Sequence, residues 1–187
     1  MTAENWSLLV SFAAMALIAA SYFLKSKGGY LLFQSVGMIF LMTSYCIDGL
    51  YFPMIGLGVG LARALIFFAY EKQNKESPLI WPFVIAAASI TVYLVVNVGI
   101  LKTQNPYDLL YLAGLILYAF AFRIHNLELF RYVVTIPTVI CLLYNVVSGA
   151  AIFATLSYGF ELGANLLAIL KYHVFERRKK EKIYEKC

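Results

Sequence analysis

The middle of the chain reads LIWPFVIAAASITVYLVVNVGIL from Leu79 to Leu101, a run of 23 residues without a charged side chain. At 1.5 Å per residue such a run forms a helix of about 35 Å, which exceeds the roughly 30 Å hydrocarbon layer of a bilayer. Its composition leaves no polar face for water to solvate. The stretch therefore predicts a membrane-spanning helix and makes lipid the expected solvent of the chain.

Similar apolar blocks fill the rest of the sequence. Of its 187 residues 62% are hydrophobic and 13% are charged, whereas soluble domains carry roughly 25% charged residues. The blocks predict seven transmembrane helices at about 6–24, 30–47, 51–70, 79–101, 107–122, 129–147 and 151–172. The predicted fold is an all-α, polytopic membrane helix bundle in a single membrane domain over 1–187, with a basic cytoplasmic tail at 173–187.

Short polar segments separate the blocks. Residues 25–29, Lys-Ser-Lys-Gly-Gly, predict a charged turn because two glycines interrupt a helix. Asp48-Gly49 and Ser148-Gly149 mark further boundaries, and residues 71–76 form the most polar internal loop. The aromatic Tyr30 falls near a span end, where an interfacial anchor is expected.

The basic residues predict the orientation of the bundle. Seven of the fifteen Lys and Arg residues lie at or beyond Lys171, and with seven spans the first, third and fifth loops share that side. This side then holds thirteen basic residues, including Arg131 assigned to the fifth loop, against Lys102 alone on the other. Because basic loops stay in the cytoplasm, the C-terminus is predicted inside and the N-terminus outside a bacterial plasma membrane. The net charge of +5 thus indicates no nucleic-acid partner.

Two ionisable residues fall inside predicted spans, Arg63 in the third and Glu161 in the seventh. Each costs roughly 2.5 to 3.5 kcal/mol at a helix centre, so their presence indicates a role. Their similar depth predicts that they lie close enough to pair. Gly56 and Gly60 share the stripe of Arg63, which predicts that this face meets protein rather than lipid.

The predicted substrate-binding residues are Arg63, Glu161, Asn165, Asn145 and Tyr158. Tyr158, Glu161 and Asn165 share one face of the seventh span at helical spacing, while Asn145 lies toward the outer end of the sixth. Three roles remain open for the two charged residues: a structural ion pair, the lining of a solute path with proton relay, or binding of a lipid headgroup.

Other polar and small residues carry weaker indications. Gln34 is placed toward the inner end of the second span, and Asn97 toward the outer end of the fourth, where hydrogen bonds between helices are the usual role. Gly159 and Gly163 form a small-residue ridge opposite the polar face of the seventh span. Such a ridge serves either internal packing or a homodimer.

No catalytic or metal-binding pattern occurs. The sequence lacks the H-E-x-x-H, G-x-S-x-G, Walker A and dinucleotide-binding glycine patterns. Cys46, Cys141 and Cys187 are scattered, and His125 and His173 are placed at the interface. The sequence therefore predicts no enzyme, no cofactor and no metal site.

An internal repeat emerges when Tyr45 is placed on Tyr144. This shift aligns the second span with the sixth and the third with the seventh, as in carriers that join two three-helix bundles by a linking helix. The expected arrangement is a 3+1+3 parallel repeat with the fourth span as the linker.

Several short segments resemble the YgjV-type bacterial inner membrane proteins, namely Gln34 to Gly37, Asp48 to Tyr51, Gly60 to Arg63, Leu143 to Asn145 and Glu161 to Asn165. The resemblance implies a small multispanning bacterial protein and supplies no substrate or site. The 3+1+3 architecture is also similar to that of SWEET, PQ-loop and PnuC carriers, although the chain has no Pro-Gln dipeptide.

These features predict a carrier or facilitator of a small polar solute, with the lipid bilayer as its surroundings and a homodimer as an open expectation. The alternative is a non-transporting membrane protein that binds a partner protein or lipid, in which the same charges are structural.

Overall fold

Helices make up nearly all of the described chain. The structure is a computed structural model that describes residues 3–47, 51–100, 107–148 and 152–175. In these ranges there are seven α-helices and no strand: α1 (Ala3–Ser21), α2 (Lys27–Ile47), α3 (Tyr51–Lys72), α4 (Ile80–Tyr93), α5 (Asp108–Ala121), α6 (Leu127–Val147) and α7 (Ile152–Ile169). Wider π-helical turns follow α4 at Leu94–Ile100 and α7 at Leu170–Phe175. The all-helical prediction is confirmed for these residues.

Several predicted features lie outside the described residues. They are the Asp48-Gly49 turn, Lys102, Gly149, the tail beyond residue 175 and the side chains of Asn97 and His173.

Consecutive helices pack as antiparallel neighbours because the connections between them are short. The connections at residues 22–26, 73–79 and 122–126 share one end, which we call the basic end. The end of α2 and the start of α3, the start of α5 and the end of α6 lie at the other end, which we call the distal end. Helices α1, α2 and α3 form one group and α5, α6 and α7 another, while α4 packs more extensively on α5 than on α3. The two groups also meet directly where α1 contacts α7.

Side-chain caps start two helices at the basic end. The Ser26 hydroxyl accepts a hydrogen bond from the Gly29 backbone N–H at 3.2 Å, so α2 begins at Lys27. The prediction that residues 25–29 form a turn is therefore wrong for Lys27, Gly28 and Gly29, because a polar cap stabilises glycines in the first helical turn. The Asn126 side chain caps α6 in the same way, accepting from the N–H groups of Glu128 and Leu129.

Two basic residues predicted in loops lie inside helices instead. Arg131 is only 2% exposed in α6, and its guanidinium donates to the carbonyl oxygens of Tyr22 at 2.8 Å and Leu24 at 2.7 Å. Lys27 is buried at the start of α2. The correction follows from the orphan carbonyls at the end of α1, which a long cationic side chain from another helix reaches.

Aromatic side chains fill the bundle near its basic end. Tyr22, Tyr30, Phe122 and Phe130 are almost fully buried and meet edge to face, with ring centroids 5.0 Å apart for Tyr22 and Tyr30 and 4.9 Å apart for Tyr30 and Phe130. The interpretation of Tyr30 as an interfacial anchor is therefore wrong, since its ring lies in the core. Phe67 of α3 packs on the same cluster.

Glycines allow close helix contacts at two points, and these are not the predicted ones. A Cβ on Gly37 would lie 2.6 Å from Ile18 Cγ1, and one on Gly114 would lie 2.5 Å from Cys141 Sγ. By contrast, nothing in the described chain lies within 4 Å of a Cβ on Gly159 or Gly163. The internal-packing role predicted for that ridge is wrong, because this face of α7 points out of the bundle.

The outer surface suits a lipid environment. Four helical stretches of the described chain are long and apolar enough to cross a membrane: Lys27–Ile47, Met54–Lys72, Ile80–Ile100 and Leu127–Val147. Two further apolar helices, Asn5–Ser21 and Asp108–Ala121, are shorter. Large apolar side chains such as Phe12, Ile80 and Val146 are more than half exposed, as expected where lipid covers them.

Candidate functional site

A cavity of about 310 Å³ lies inside the bundle, and every one of the seven α-helices contributes to its wall. Gln34, Arg63 and Glu161 line it at mid-depth, while Asp108 and Asn145 line it toward the distal end. On the other side of Arg63 and Glu161 the space is filled by the buried aromatic cluster described above. The cavity therefore extends from the middle of the bundle toward the distal end.

Glycines of α3 widen this cavity. Gly56 and Gly60 both line it, and the nearest atom to a Cβ on Gly56 would be the Tyr111 hydroxyl at 3.8 Å. The stripe of small residues was predicted to let a neighbouring helix approach and shield Arg63. It instead leaves room beside Arg63, which faces protein as predicted and is only 5% exposed.

The Arg63 guanidinium rests on aromatic rings. Its central carbon lies 4.2 Å from the Phe122 ring centroid and 5.0 Å from the Tyr118 centroid, within the range of cation–π attraction. Its Nε atom is buried and has no hydrogen-bond partner. No described carboxylate forms an ion pair with this side chain, and its described direct contacts are with the two ring faces.

Glu161 is held by hydroxyl groups. Tyr22, which directly follows α1, donates to its Oε1 at 2.6 Å, and Tyr118 of α5 donates to the same oxygen at 3.3 Å. The Tyr118 hydroxyl is also 2.7 Å from Thr138 Oγ1 of α6. Both hydrogen bonds to the carboxylate end on Oε1.

Arg63 and Glu161 thus share a cavity without forming the expected ion pair. They lie close enough for a favourable electrostatic interaction, but the tyrosine hydroxyls bind the carboxylate and the rings bind the guanidinium. Two ion pairs lie at the basic end instead, where Glu71 Oε2 is 2.9 Å from His125 Nδ1 and 3.9 Å from Lys27 Nζ.

Two amide side chains on the wall carry buried atoms without partners. They are Oε1 of Gln34, a hydrogen-bond acceptor, and Nδ2 of Asn145, a donor. Gln34 is 3% exposed and Asn145 is 4% exposed. Buried polar atoms are nearly always hydrogen-bonded in native proteins, so such atoms around an internal cavity indicate a ligand or ordered water.

A family model described as "Bacterial inner membrane protein", Imp-YgjV, matches residues 5–176. The chain belongs to the Imp-YgjV family. This confirms the resemblance drawn from the short segments, including Gly60 to Arg63 and Glu161 to Asn165, and identifies the bundle as that of a bacterial inner membrane protein. No protein of curated function and no solved structure matches the chain.

Four of the five predicted site residues of this Imp-YgjV member line the cavity: Arg63, Asn145, Tyr158 and Glu161. Asn165 does not. It is fully buried between α7 and α6, and its Nδ2 donates to the Arg131 carbonyl oxygen and to Thr135 Oγ1, both at 2.9 Å. Its geometry is that of a helix–helix hydrogen bond.

The cavity also contains polar residues that the sequence did not single out. Asp108 is 7% exposed at the start of α5 and accepts a hydrogen bond from the Tyr144 hydroxyl at 3.1 Å. The sequence analysis did not single out Asp108, because acidic residues are common in the first turn of a helix. Tyr118 lay within an apolar block and gave no signal. No three His, Cys, Asp or Glu side chains converge as metal ligands in the described ranges.

Proposed function

We propose that the protein is a carrier or facilitator that binds a small polar solute in the central cavity. The observation that carries the proposal is the set of buried, unpartnered polar atoms on Gln34, Arg63 and Asn145 around a volume of about 310 Å³. A bundle that served only as a scaffold would gain stability by filling this space with apolar side chains. A solute that satisfies these atoms accounts for both the space and the polar groups.

We further propose that all seven helices span the inner membrane, with the N-terminus outside and the C-terminus in the cytoplasm. The basic end then faces the cytoplasm, because Lys25, Lys72 and Arg123 lie there. Under this orientation the cavity extends toward the outer surface. Impermeant maleimide tests it: a cysteine at Lys75 should react only after membranes are broken, whereas one at Gln104 should react in intact cells. The reverse pattern contradicts the orientation.

The proposed arrangement of the spans is the 3+1+3 parallel repeat. Helix α1 ends at 21 and α5 at 121, while α2 covers 27–47 and α6 covers 127–147, so corresponding boundaries are 100 positions apart. This register differs by one position from the alignment of Tyr45 with Tyr144, which are 99 positions apart. The capping residues Ser26 and Asn126 have the same separation. So do the edge-to-face rings Tyr22 and Tyr30, which correspond to Phe122 and Phe130.

This repeat supports a mechanism in which one three-helix group rocks against the other. In the described conformation, aromatic side chains fill the bundle at the basic end, while the cavity extends toward the distal end. Transport requires a second conformation in which the aromatic cluster parts and the distal end closes. Glu161 of the second group, held by Tyr22 of the first, lies where such movement would change its contacts.

Thermal stability of the detergent-purified protein tests solute binding. A panel of sugars, amino acids, nucleosides, vitamins and organic acids is applied to the wild type, to Glu161→Gln and to Glu76→Gln, an exposed glutamate in the connection between α3 and α4. A solute that binds the folded state raises stability in a saturable manner. We expect such a shift for the wild type and Glu76→Gln, and a reduced shift for Glu161→Gln.

Uptake of the same compound into proteoliposomes then tests transport. Saturable uptake that Glu161→Gln reduces while the protein stays folded supports a carrier. No shift across the panel with folded protein favours the alternative, a non-transporting protein that binds a partner or lipid.

A further inference from the structure

Arg63 is a buried cation that forms no direct ion pair with a described carboxylate, although Glu161 lies near enough for a favourable electrostatic interaction. Its side chain is 5% exposed and its Nε lacks a hydrogen bond. The guanidinium makes cation–π contacts with the rings of Tyr118 and Phe122. A guanidinium carries five N–H donors in a planar fork. Burial of such a group is unfavourable unless acceptors satisfy it. Arg63 lines the cavity, so an anionic acceptor can reach it from there.

We infer that the solute is a small organic acid whose carboxylate docks on Arg63 and whose apolar body occupies the cavity. The inference rests on the proposed solute-binding function and specifies its substrate class. Three observations support it: Arg63 forms no ion pair with a described carboxylate, the rest of the cavity wall is mostly apolar, and the cavity is large enough for a small molecule.

Among anionic solutes, the charges around the cavity favour one with a single negative charge. Arg63 is its only lining cation among the described residues, whereas Glu161 and Asp108 both line it as carboxylates. A phosphate with up to two charges would face two acidic side chains with one cation to offset them. A carboxylate brings one charge, and its two oxygens match the guanidinium fork.

Gln34 specifies a second group on the solute. Its Oε1 is a buried acceptor without a partner, so it suits a hydroxyl or amino group. Gln34 lies seven residues into α2 and Arg63 nine residues before the end of α3, both counted from the basic end. At 1.5 Å per residue their heights are about 10 and 14 Å, so one small molecule reaches both.

The rest of the cavity wall determines the size and polarity of the part of the solute beyond its carboxylate. It is mostly apolar and aromatic, with Met38, Leu115 and Tyr111 among its residues. A volume of about 310 Å³ corresponds to roughly ten water molecules at about 30 Å³ each. An acid of about ten to twelve non-hydrogen atoms with a ring or a branched chain therefore fits.

Matched compounds test the class. Thermal stability of the purified full-length protein is measured with 3-phenylpropionate and 3-phenyllactate, with the primary amide of each, and with phenethylamine. We expect both acids to bind, phenyllactate more tightly because its hydroxyl reaches Gln34, and the amides and the amine to bind at least tenfold more weakly. Equal or tighter binding of an amide or the amine overturns the inference, as does the absence of binding by both acids.

Arg63→Met and Arg63→Lys locate the site, with Arg123→Met as the matched control at the basic end. We expect Arg63→Met to abolish the acid-induced shift and Arg63→Lys to weaken it at least tenfold. Thermal unfolding of unliganded Arg63→Met establishes that the variant is folded, because the substitution also removes the cation–π contacts and the electrostatic interaction with Glu161. An acid-induced shift that survives in folded Arg63→Met overturns the inference.

Failure of the substrate class and failure of the carrier function give different results. Arg63-dependent binding of phenyllactate without uptake into proteoliposomes upholds the acid site and contradicts transport. Saturable uptake of a neutral or cationic solute, with no binding of acids, upholds transport and contradicts the acid site.

Discussion

The hydroxyl of Tyr22 donates a 2.6 Å hydrogen bond to Oε1 of Glu161, and this bond joins the turn after α1 to α7 across 139 residues of sequence. The Tyr30 hydroxyl of α2 in turn donates to Tyr22 at 3.2 Å. A carboxylate on the last helix is thus held by hydroxyl groups of the first helical group. This contact links the two groups at the boundary between the cavity and the aromatic cluster.

Tyr22→Phe should lower the free energy of unfolding by about 1 to 3 kcal/mol, because a buried carboxylate loses a donor and the Tyr30 hydroxyl loses its acceptor. Thermal unfolding of the purified protein measures the change. Tyr93→Phe is the control, since the Tyr93 hydroxyl lines the cavity without a described hydrogen bond. Equal effects of the two substitutions would contradict the role given to Tyr22.

Gly37→Ala and Gly114→Ala should destabilise the bundle, whereas Gly159→Ala should not. A methyl group at Gly37 meets Ile18 and the Ala14 carbonyl oxygen, and overpacking of this kind costs about 1 to 3 kcal/mol. The open space at Gly159 leaves only the helix preference for alanine, a gain of about 0.5 to 1 kcal/mol. Unfolding of the three variants in mixed micelles checks the order.

The outward ridge of α7 provides a separate test of the homodimer. If two copies associate through this face, Gly159→Leu with Gly163→Leu should convert a dimer to a monomer without loss of fold, because nothing in the described chain fills the space beside these glycines. Cross-linking in native membranes reports the change. A dimer that persists in the double variant places any self-association elsewhere.

Arg131→Met should lower the free energy of unfolding by about 2 to 4 kcal/mol, because two carbonyl oxygens at the end of α1 lose a charged donor. The Tyr172 ring, 4.9 Å from the guanidinium carbon, loses a cation–π contact as well. Unfolding by denaturant measures the loss, with Arg123→Met as the comparison. A smaller loss for Arg131→Met than for Arg123→Met would contradict this account.

Glu71→Gln should be more costly than His125→Ala, although both change the same cluster. The Lys27 side chain is 4% exposed and loses its carboxylate, for a cost of about 1 to 2 kcal/mol. The His125 side chain is 48% exposed, and a surface ion pair contributes below about 1 kcal/mol. Thermal unfolding at low and high salt separates the two, and the reverse order would show that Lys27 does not depend on Glu71.

The sequence predicted the helices well because each apolar block is long enough to require a helix in lipid. It also predicted that Arg63 and Glu161 face the bundle interior, since a charge is costly against hydrocarbon. The helix boundaries were predicted less accurately where a capping side chain stabilises a first turn that contains glycines. At α2, Ser26 stabilises a start three residues earlier than the glycines indicated.

The contacts of polar residues were predicted less well. Arg131 and Tyr30 both lie near helix ends, where a loop cation and an interfacial ring are the usual roles, yet both are buried. Asn165 shares a helix face with Glu161 and still hydrogen-bonds α6 rather than lining the cavity. Periodicity gives the face of a helix, while the neighbour that covers each turn depends on packing.

The sequence by itself determined the membrane environment, the seven α-helices of the described residues and the family, because apolar length and charge placement are properties of consecutive residues. Only the tertiary structure decided which of the inward polar groups share one space and which of them lack partners. Arg63, Gln34 and Asn145 lie on three different helices, and their convergence depends on how those helices pack. The physical reason is that a membrane selects helices one at a time, whereas a binding cavity exists only between them.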